Sequence, residues 1–207
     1  MRAFLSRSLC AAAAALSFVA LPASAQMPVP QRSAYFALFG GLSGGGDTLA
    51  RVQFADGSSE SIRAGGLIHL AAGVVLQAPQ SPLALQATIG WQADSVNASN
   101  GDITFTRYPI ELLGFWHGAP GWRFGGGMRL VNGAELESDV NGFRDTVTYK
   151  DTVGLVLEAG VKVFPGGWLN LRYTAEDYEP DAVNGFSVVS GGKVSGRAVG
   201  VNLLWTF

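Results

Sequence analysis

The stretch that decides the fold is residues 199–207, VGVNLLWTF. Val199, Val201, Leu203, Trp205 and Phe207 form one alternate set; Gly200, Asn202, Leu204 and Thr206 form the other. Successive side chains of a strand point to opposite faces of a sheet, so this pattern is a strand with one wholly apolar face. That face needs cover, from a protein core or from lipid. The rest of the chain tells the two apart.

The chain has 207 residues, of which 48% are hydrophobic and only 14% charged. Its first residues read as an export leader. Arg2 and Arg7 supply positive charge, residues 9–21 are an Ala-rich apolar run, and Ala23-Ser24-Ala25 fits a small-x-small cleavage site. Residues 1–25 are therefore expected to be a cleaved signal peptide, followed by a short periplasmic segment, 26–33. The apolar run falls short of the roughly 20 residues of a spanning helix. The single cysteine, Cys10, lies inside the leader, so no disulfide framework or Cys-based metal site is expected in the mature chain. Without Arg2 and Arg7, 14 − 2 = 12 basic residues face 16 acidic ones, a formal charge of −4 that disfavours nucleic acid as a partner. A chain this apolar with no later helical span is either a well-filled soluble β protein or a membrane barrel.

Period-two alternation recurs in hairpins. Strands are expected over 33–54, 60–77, 83–94, 103–116, 122–132, 148–164, 168–176 and 194–207. Residues 135–145 and 177–192 read as polar loops. That makes about eight strands, each near the 9–11 residues of a tilted membrane strand. The short connections, 78–82, 118–121 and 165–167, all fall on one side, and the long or polar ones fall on the other. Outer-membrane barrels sort their loops in this way, with short periplasmic turns and longer external loops. The aromatics Trp116, Trp122, Phe164, Trp168 and Trp205 cluster at the short-turn side, where an interface girdle belongs. Trp91, Tyr108 and Tyr173 are the candidates for a weaker opposite girdle.

The faces give an independent test. Tyr108, Ile110, Leu112, Gly114 and Trp116 share one face, and Val153, Leu155, Leu157, Ala159, Val161 and Val163 share another; neither carries a charge. The complementary faces hold Arg107, Glu111, Arg123, Arg129, Glu158, Lys162, Arg172 and Glu176. In a sandwich these charges would face water. In a barrel they face the lumen, where they must pair.

With these residues in view, the chain from Ala34 to Phe207 resembles the small eight-stranded outer-membrane barrels: the transmembrane domain of outer-membrane protein A, outer-membrane protein X and the opacity-type proteins. The resemblance implies an all-β, antiparallel, up-and-down transmembrane β-barrel, monomeric, in the outer membrane of a Gram-negative cell. It also implies that Phe207, an aromatic C-terminus on an alternating strand, acts as a barrel-insertion signal read by the assembly machinery. Outer-membrane lipid and lipopolysaccharide are the expected surroundings.

The expected function is structural, or surface interaction through the external loops, with the lumen plugged by charged pairs. The alternative is a narrow channel for small solutes, anions among them. An outer-membrane lipid A-modifying hydrolase is the third reading, and the weakest. His69 is expected to face inward near Arg63 and Gln77, and His117 to sit at a short turn. Glu60 and Ser61 lie well displaced from His69, so no catalytic set is expected, and neither histidine has a metal-spaced partner. No cofactor or metal is expected. The glycines in GGLSGGG (40–46) lack the ending of a phosphate loop and serve to bend the strand or make room for lumenal arginines. The acidic residues Glu135, Glu137, Asp139, Asp145, Asp177, Glu179 and Asp181 belong to solvated external loops.

Overall fold

The computed structural model describes residues 33–53, 59–98, 101–140, 142–187 and 192–207. The expected leader, the periplasmic segment through Arg32, and the turn at 55–58 lie outside the described residues.

Eight strands among the described residues close a barrel: β1 Ala34–Gly45, β2 Ile68–Leu76, β3 Leu83–Ala98, β4 Gly101–Ala119, β5 Trp122–Val140, β6 Thr152–Phe164, β7 Gly167–Ala175 and β8 Ala198–Thr206. Each pairs antiparallel with its sequence neighbours. Pairing of β1 with β8, from Ala37↔Thr206 to Gly45↔Ala198, completes the ring. The result is an up-and-down meander with no open edge around its girth, so the strand backbone is satisfied internally. At the short-turn end the first and last strands are tied by Phe36 N–H to the Phe207 carbonyl (3.1 Å) and Phe207 N–H to the Phe36 carbonyl (3.0 Å).

The alternation sorts the faces. Phe36, Leu112, Met128, Leu155, Leu157, Leu171, Val199 and Val201 all point outward and are more than half exposed. A continuous outward apolar surface around a closed barrel is what a strand-built membrane span requires. No helix among the described residues is long and apolar enough to cross a membrane.

Two expected strands are interrupted. The one expected over 33–54 ends at Gly45, and Thr48–Gln53 starts again after a sharp turn at Gly46, whose φ is 76°. A side chain there would be strained and would also bring Cβ to 2.7 Å from the Gly65 amide. The one expected over 60–77 divides into Ser59–Arg63 and Ile68–Leu76. The two outer pieces pair with each other as a separate hairpin. The chain returning from that hairpin packs into the barrel mouth, where Ile62 and Ala64 are fully buried.

Residues 135–145, expected as a loop, are instead mostly strand. β5 continues to Val140, and Phe143–Tyr149 returns against it from Val140↔Phe143 to Glu135↔Thr148. The cause is a register shift between β4 and β5 beside Gly133, which has φ 57°. One extra residue there turns Ala134 and Leu136 inward and places Glu135, Glu137 and Asp139 on the outer face. The pattern hidden in this polar stretch is thus alternating. Pro180–Val183 and Phe186–Ser187 add two more short strands beside Phe143–Tyr149. The whole forms an external sheet that prolongs one wall of the barrel.

Candidate functional site: the lumen

An eight-stranded barrel has an interior just wide enough for side chains to fill. Here the filling is layered. Toward the short turns lies an apolar cluster of Ala37, Phe39, Val75, Leu113, Phe115, Val156 and Leu204. Toward the external mouth lies a second, with Ile62, Val96, Phe105, Val131, Tyr149 and Tyr178. Glu111 and Arg129 sit between the two, while Arg123 and Glu158 sit among the first, with the Arg123 guanidinium 4.2 Å from the Phe115 ring.

They form a connected ladder. Arg123, from β5, donates from Nη2 to Glu158 Oε1 at 2.7 Å and from Nε to Asn170 Oδ1 at 2.9 Å. Glu158 Oε2, on β6, accepts from Arg172 Nη1 and from Asn202 Nδ2, each at 3.4 Å. Arg172 Nη2 then lies 2.5 Å from Glu111 Oε2, and Glu111 Oε1 lies 3.7 Å from Arg129 Nη1. Arg129 Nε is 3.2 Å from Glu176 Oε2, and Glu176 Oε1 accepts from the Tyr178 hydroxyl at 2.6 Å. Each of these acids and arginines is at most 5% exposed. Six strands contribute to one network, so breaking any rung disturbs packing across the barrel.

Polar side chains complete it. Asn170 Nδ2 donates to Asn202 Oδ1 at 2.6 Å, and Gln92 Nε2 donates to the Gly65 carbonyl at 2.9 Å. Gln92 Oε1 accepts from Arg129. Space for the long side chains comes from glycine: a Cβ on Gly160 would stand 2.0 Å from Asn170 Oδ1 and 3.1 Å from Arg123. Arg107 is held differently. It donates to the Ala64 carbonyl, and its guanidinium carbon lies 5.0 Å and 5.5 Å from the ring centroids of Phe105 and Tyr178. Contact with aromatic rings suits a guanidinium that has no direct carboxylate partner among the described residues.

Two expected site residues take other positions. Lys162 is exposed and stands outside the ladder. It is four residues beyond Glu158 on the same strand face, and that distance carries it past the apolar cluster to the barrel rim. Trp168 does not belong to the outward girdle. It is partly buried against the lower lumenal cluster, with the Arg123 guanidinium 5.3 Å from its ring and the His117 ring 5.3 Å away. It alternates with Leu169 and Leu171, which face lipid, so it must face inward. A register shift between Gly167 and Trp168 accompanies this placement.

Trp116, Trp122, Phe164 and Trp205 do lie exposed on the short-turn side, and Trp91, Tyr108 and Tyr173 are exposed further along the barrel wall. Phe207 is exposed, with its ring 5.5 Å from Trp205 and 6.3 Å from Phe36. His69 is buried as expected, but its surroundings differ: its ring centroid is 4.6 Å from Phe39. Gln77 is instead at the other end, with Nε2 3.2 Å from His117 Nδ1. Glu60 and Ser61 belong to the external hairpin.

The polar half of the ladder is not among the expected site residues. Asn170 and Tyr178 carry a visible signal, since they share faces with the inward Arg172 and Glu176, whereas Gln92 and Asn202 stand on faces that hold none of the ladder's charges. Gln86, Thr88 and Gln92 alternate on β3, and Asn170, Arg172 and Thr174 alternate on β7.

Outside the membrane the charges behave as surface pairs. Arg144 lies 3.9 Å from Glu137 and 3.4 Å from Asp139. Lys150 Nζ lies 2.5 Å from Glu179 Oε1. This hydrogen bond and its charge hold the Glu179 carboxyl below its usual range and the Lys150 ammonium above its own. Among the described residues, no group of acids, histidines or cysteines forms a metal-binding cluster.

With the ring closed, its outer face apolar and its inner face paired, the architecture is settled. The chain is built as a small outer-membrane-type β-barrel. Its fold is similar to those of Neisserial surface protein A (13% identity over 85% of this chain and 98% of that one, TM-score 0.49) and the attachment invasion locus protein of Yersinia pestis (11% identity, 84% and 97%, TM-score 0.49). It is also similar to that of a major outer membrane protein from Thermus thermophilus (13% identity, 85% and 100%, TM-score 0.49). No protein-family model matches the sequence, and no curated protein matches it.

Proposed function

We propose that this barrel acts at the cell surface through its external sheet and loops, and that its lumen is a structural plug. The observation that carries the reading is the lumenal ladder, packed among two apolar clusters in the barrel interior. A conducting pore needs a continuous wetted path, and here the buried charges other than Arg107 are paired with one another. The external sheet gives the protein a structured surface beyond the barrel wall, larger than the separate two-stranded hairpin of Thr48–Gln53 and Ser59–Arg63. Its outer face carries Glu137, Asp139 and Arg144; its other face carries Val183 with Phe143 and Phe186, which are 78% and 80% exposed. Exposed aromatics of this kind on an amphipathic sheet suit a contact surface.

Planar-bilayer recording of the refolded barrel tests the plug. The expected result is no discrete conductance steps, with Glu111→Gln changing stability alone. Steps whose size changes in Glu111→Gln would move the function into the lumen and favour a narrow channel. Phe143→Ser with Phe186→Ser should abolish surface attachment while leaving the barrel folded, as read by heat-modifiable gel migration.

The same reading places the protein among outer-membrane lipids and lipopolysaccharide as a monomer without catalytic function, after signal-peptide cleavage and periplasmic transit. It gives Phe207 a role in delivery to the assembly machinery. The Phe207 ring is exposed, so Phe207→Ala should reduce the inserted fraction in cells several-fold. It should leave the unfolding midpoint of barrel refolded in detergent nearly unchanged. An equal loss in both measurements would make Phe207 a packing residue instead.

A further inference from the structure

We propose that the lumen binds a small monovalent anion, of the size of chloride, in a cavity that Arg129 and Arg172 both line. The buried charges do not balance. Among the described buried side chains are four arginines (Arg107, Arg123, Arg129, Arg172) and three glutamates (Glu111, Glu158, Glu176). One excess positive charge in a low-dielectric interior is costly unless something compensates it.

The structure offers a place for the compensation. A cavity of about 20 Å³ lies beside the ladder, lined by both Arg129 and Arg172, with His69, Gln92, Ser43 and Thr174 among its polar walls and no carboxylate. Roughly 10–15 Å³ by this measure admits one water, so a monatomic ion fits, and a hydrated or polyatomic one does not. Two of the lining residues have a buried nitrogen that makes no hydrogen bond among the described residues: Arg172 Nε, which is a donor, and His69 Nε2, which is a donor in the tautomer that carries its proton there. Thr174 adds a hydroxyl. Two guanidiniums, spare N–H groups and hydroxyls, with acids absent from the wall, make a site for an anion and a poor one for a cation. The inference rests on the folded lumen and is independent of the proposed surface role.

The test is to refold the mature protein in sodium bromide and, in parallel, in sodium gluconate at equal ionic strength. In crystals of the bromide sample, an anomalous peak is expected in the cavity lined by Arg129 and Arg172. Chloride or bromide should raise the unfolding midpoint in a saturating manner, shifting the folding equilibrium by about 100-fold at a hundred times the dissociation constant. Arg172→Gln should remove this halide dependence. Thr174→Val, which leaves every ion pair intact, should weaken it, and Arg144→Gln on the external sheet should not change it. Bromide found only on the surface, or a midpoint equal in bromide and gluconate for the folded wild-type barrel, would overturn the proposal.

Discussion

Glu158→Gln should lower the unfolding free energy of the barrel by about 3–5 kcal/mol. Glu158 is the rung that two arginines share. Its Oε1 takes the Arg123 bond at 2.7 Å, and its Oε2 takes Arg172 and Asn202, both at 3.4 Å. Glutamine keeps the shape and can still accept a hydrogen bond, but it removes the negative charge that faces two buried cations. The penalty is therefore the cost of leaving buried charge uncompensated, which exceeds the net worth of the pair itself. The comparison variant is Glu137→Gln. Its partner Arg144 is 3.9 Å away, with side-chain exposures of 68% for Arg144 and 51% for Glu137. An exposed pair of that kind contributes about 0–1 kcal/mol. Urea unfolding from lipid vesicles, followed by the gel-mobility difference between folded and unfolded barrel, measures both. Equal small losses would mean that water reaches Glu158 and screens it, and the plug would then be no plug.

The membrane-spanning part of this fold was legible because lipid and lumen impose opposite demands on alternate residues. Leu155 and Leu157 can face only lipid, and Glu158 only the interior, so parity alone assigns them. Parity fails wherever the ladder of pairing slips. At Gly133 one extra residue inverts the faces, which is why the strand through Glu135 and Glu137 reads as a loop. Trp168 is a different case: aromatic clustering near a turn points it to the girdle, and its parity with Asn170 and Arg172 points it inward, where the structure has it. Parity puts Lys162 on the inward face, but parity says which face a residue has and not how deep it lies. The halves of the ladder also differ in legibility. An arginine on an inward face demands a partner, so the charges are found at once. Gln92, Asn170 and Asn202 look like filler until the distances show that each completes a donor or an acceptor. The inward fold of Ile62 and Ala64 comes from two backbone turns, and no periodic signal encodes those.

The lipid-facing assignment itself has a sharp consequence. Leu157→Arg should cost about 2–4 kcal/mol of barrel stability in a bilayer, and the same change at Val183 should cost far less. Leu157 is 61% exposed and lies midway along an outward row running from Val153 to Val163, all apolar. At that depth an arginine can neither reach water easily nor pair, and its neighbours Gly126 and Tyr173 across the sheet supply no carboxylate. Val183 is also exposed, at 40%, but it lies in a short strand of the external sheet, where a guanidinium meets solvent. Exposure alone would rank Leu157 as the more tolerant of the two positions. A membrane span reverses that order. The same pair of variants refolded in a short-chain detergent should show a smaller gap, because a micelle deforms around the charge. If Leu157→Arg is tolerated as well as Val183→Arg in lipid vesicles, the outward face is in contact with water, and the row from Val153 to Val163 must be covered by something other than a bilayer.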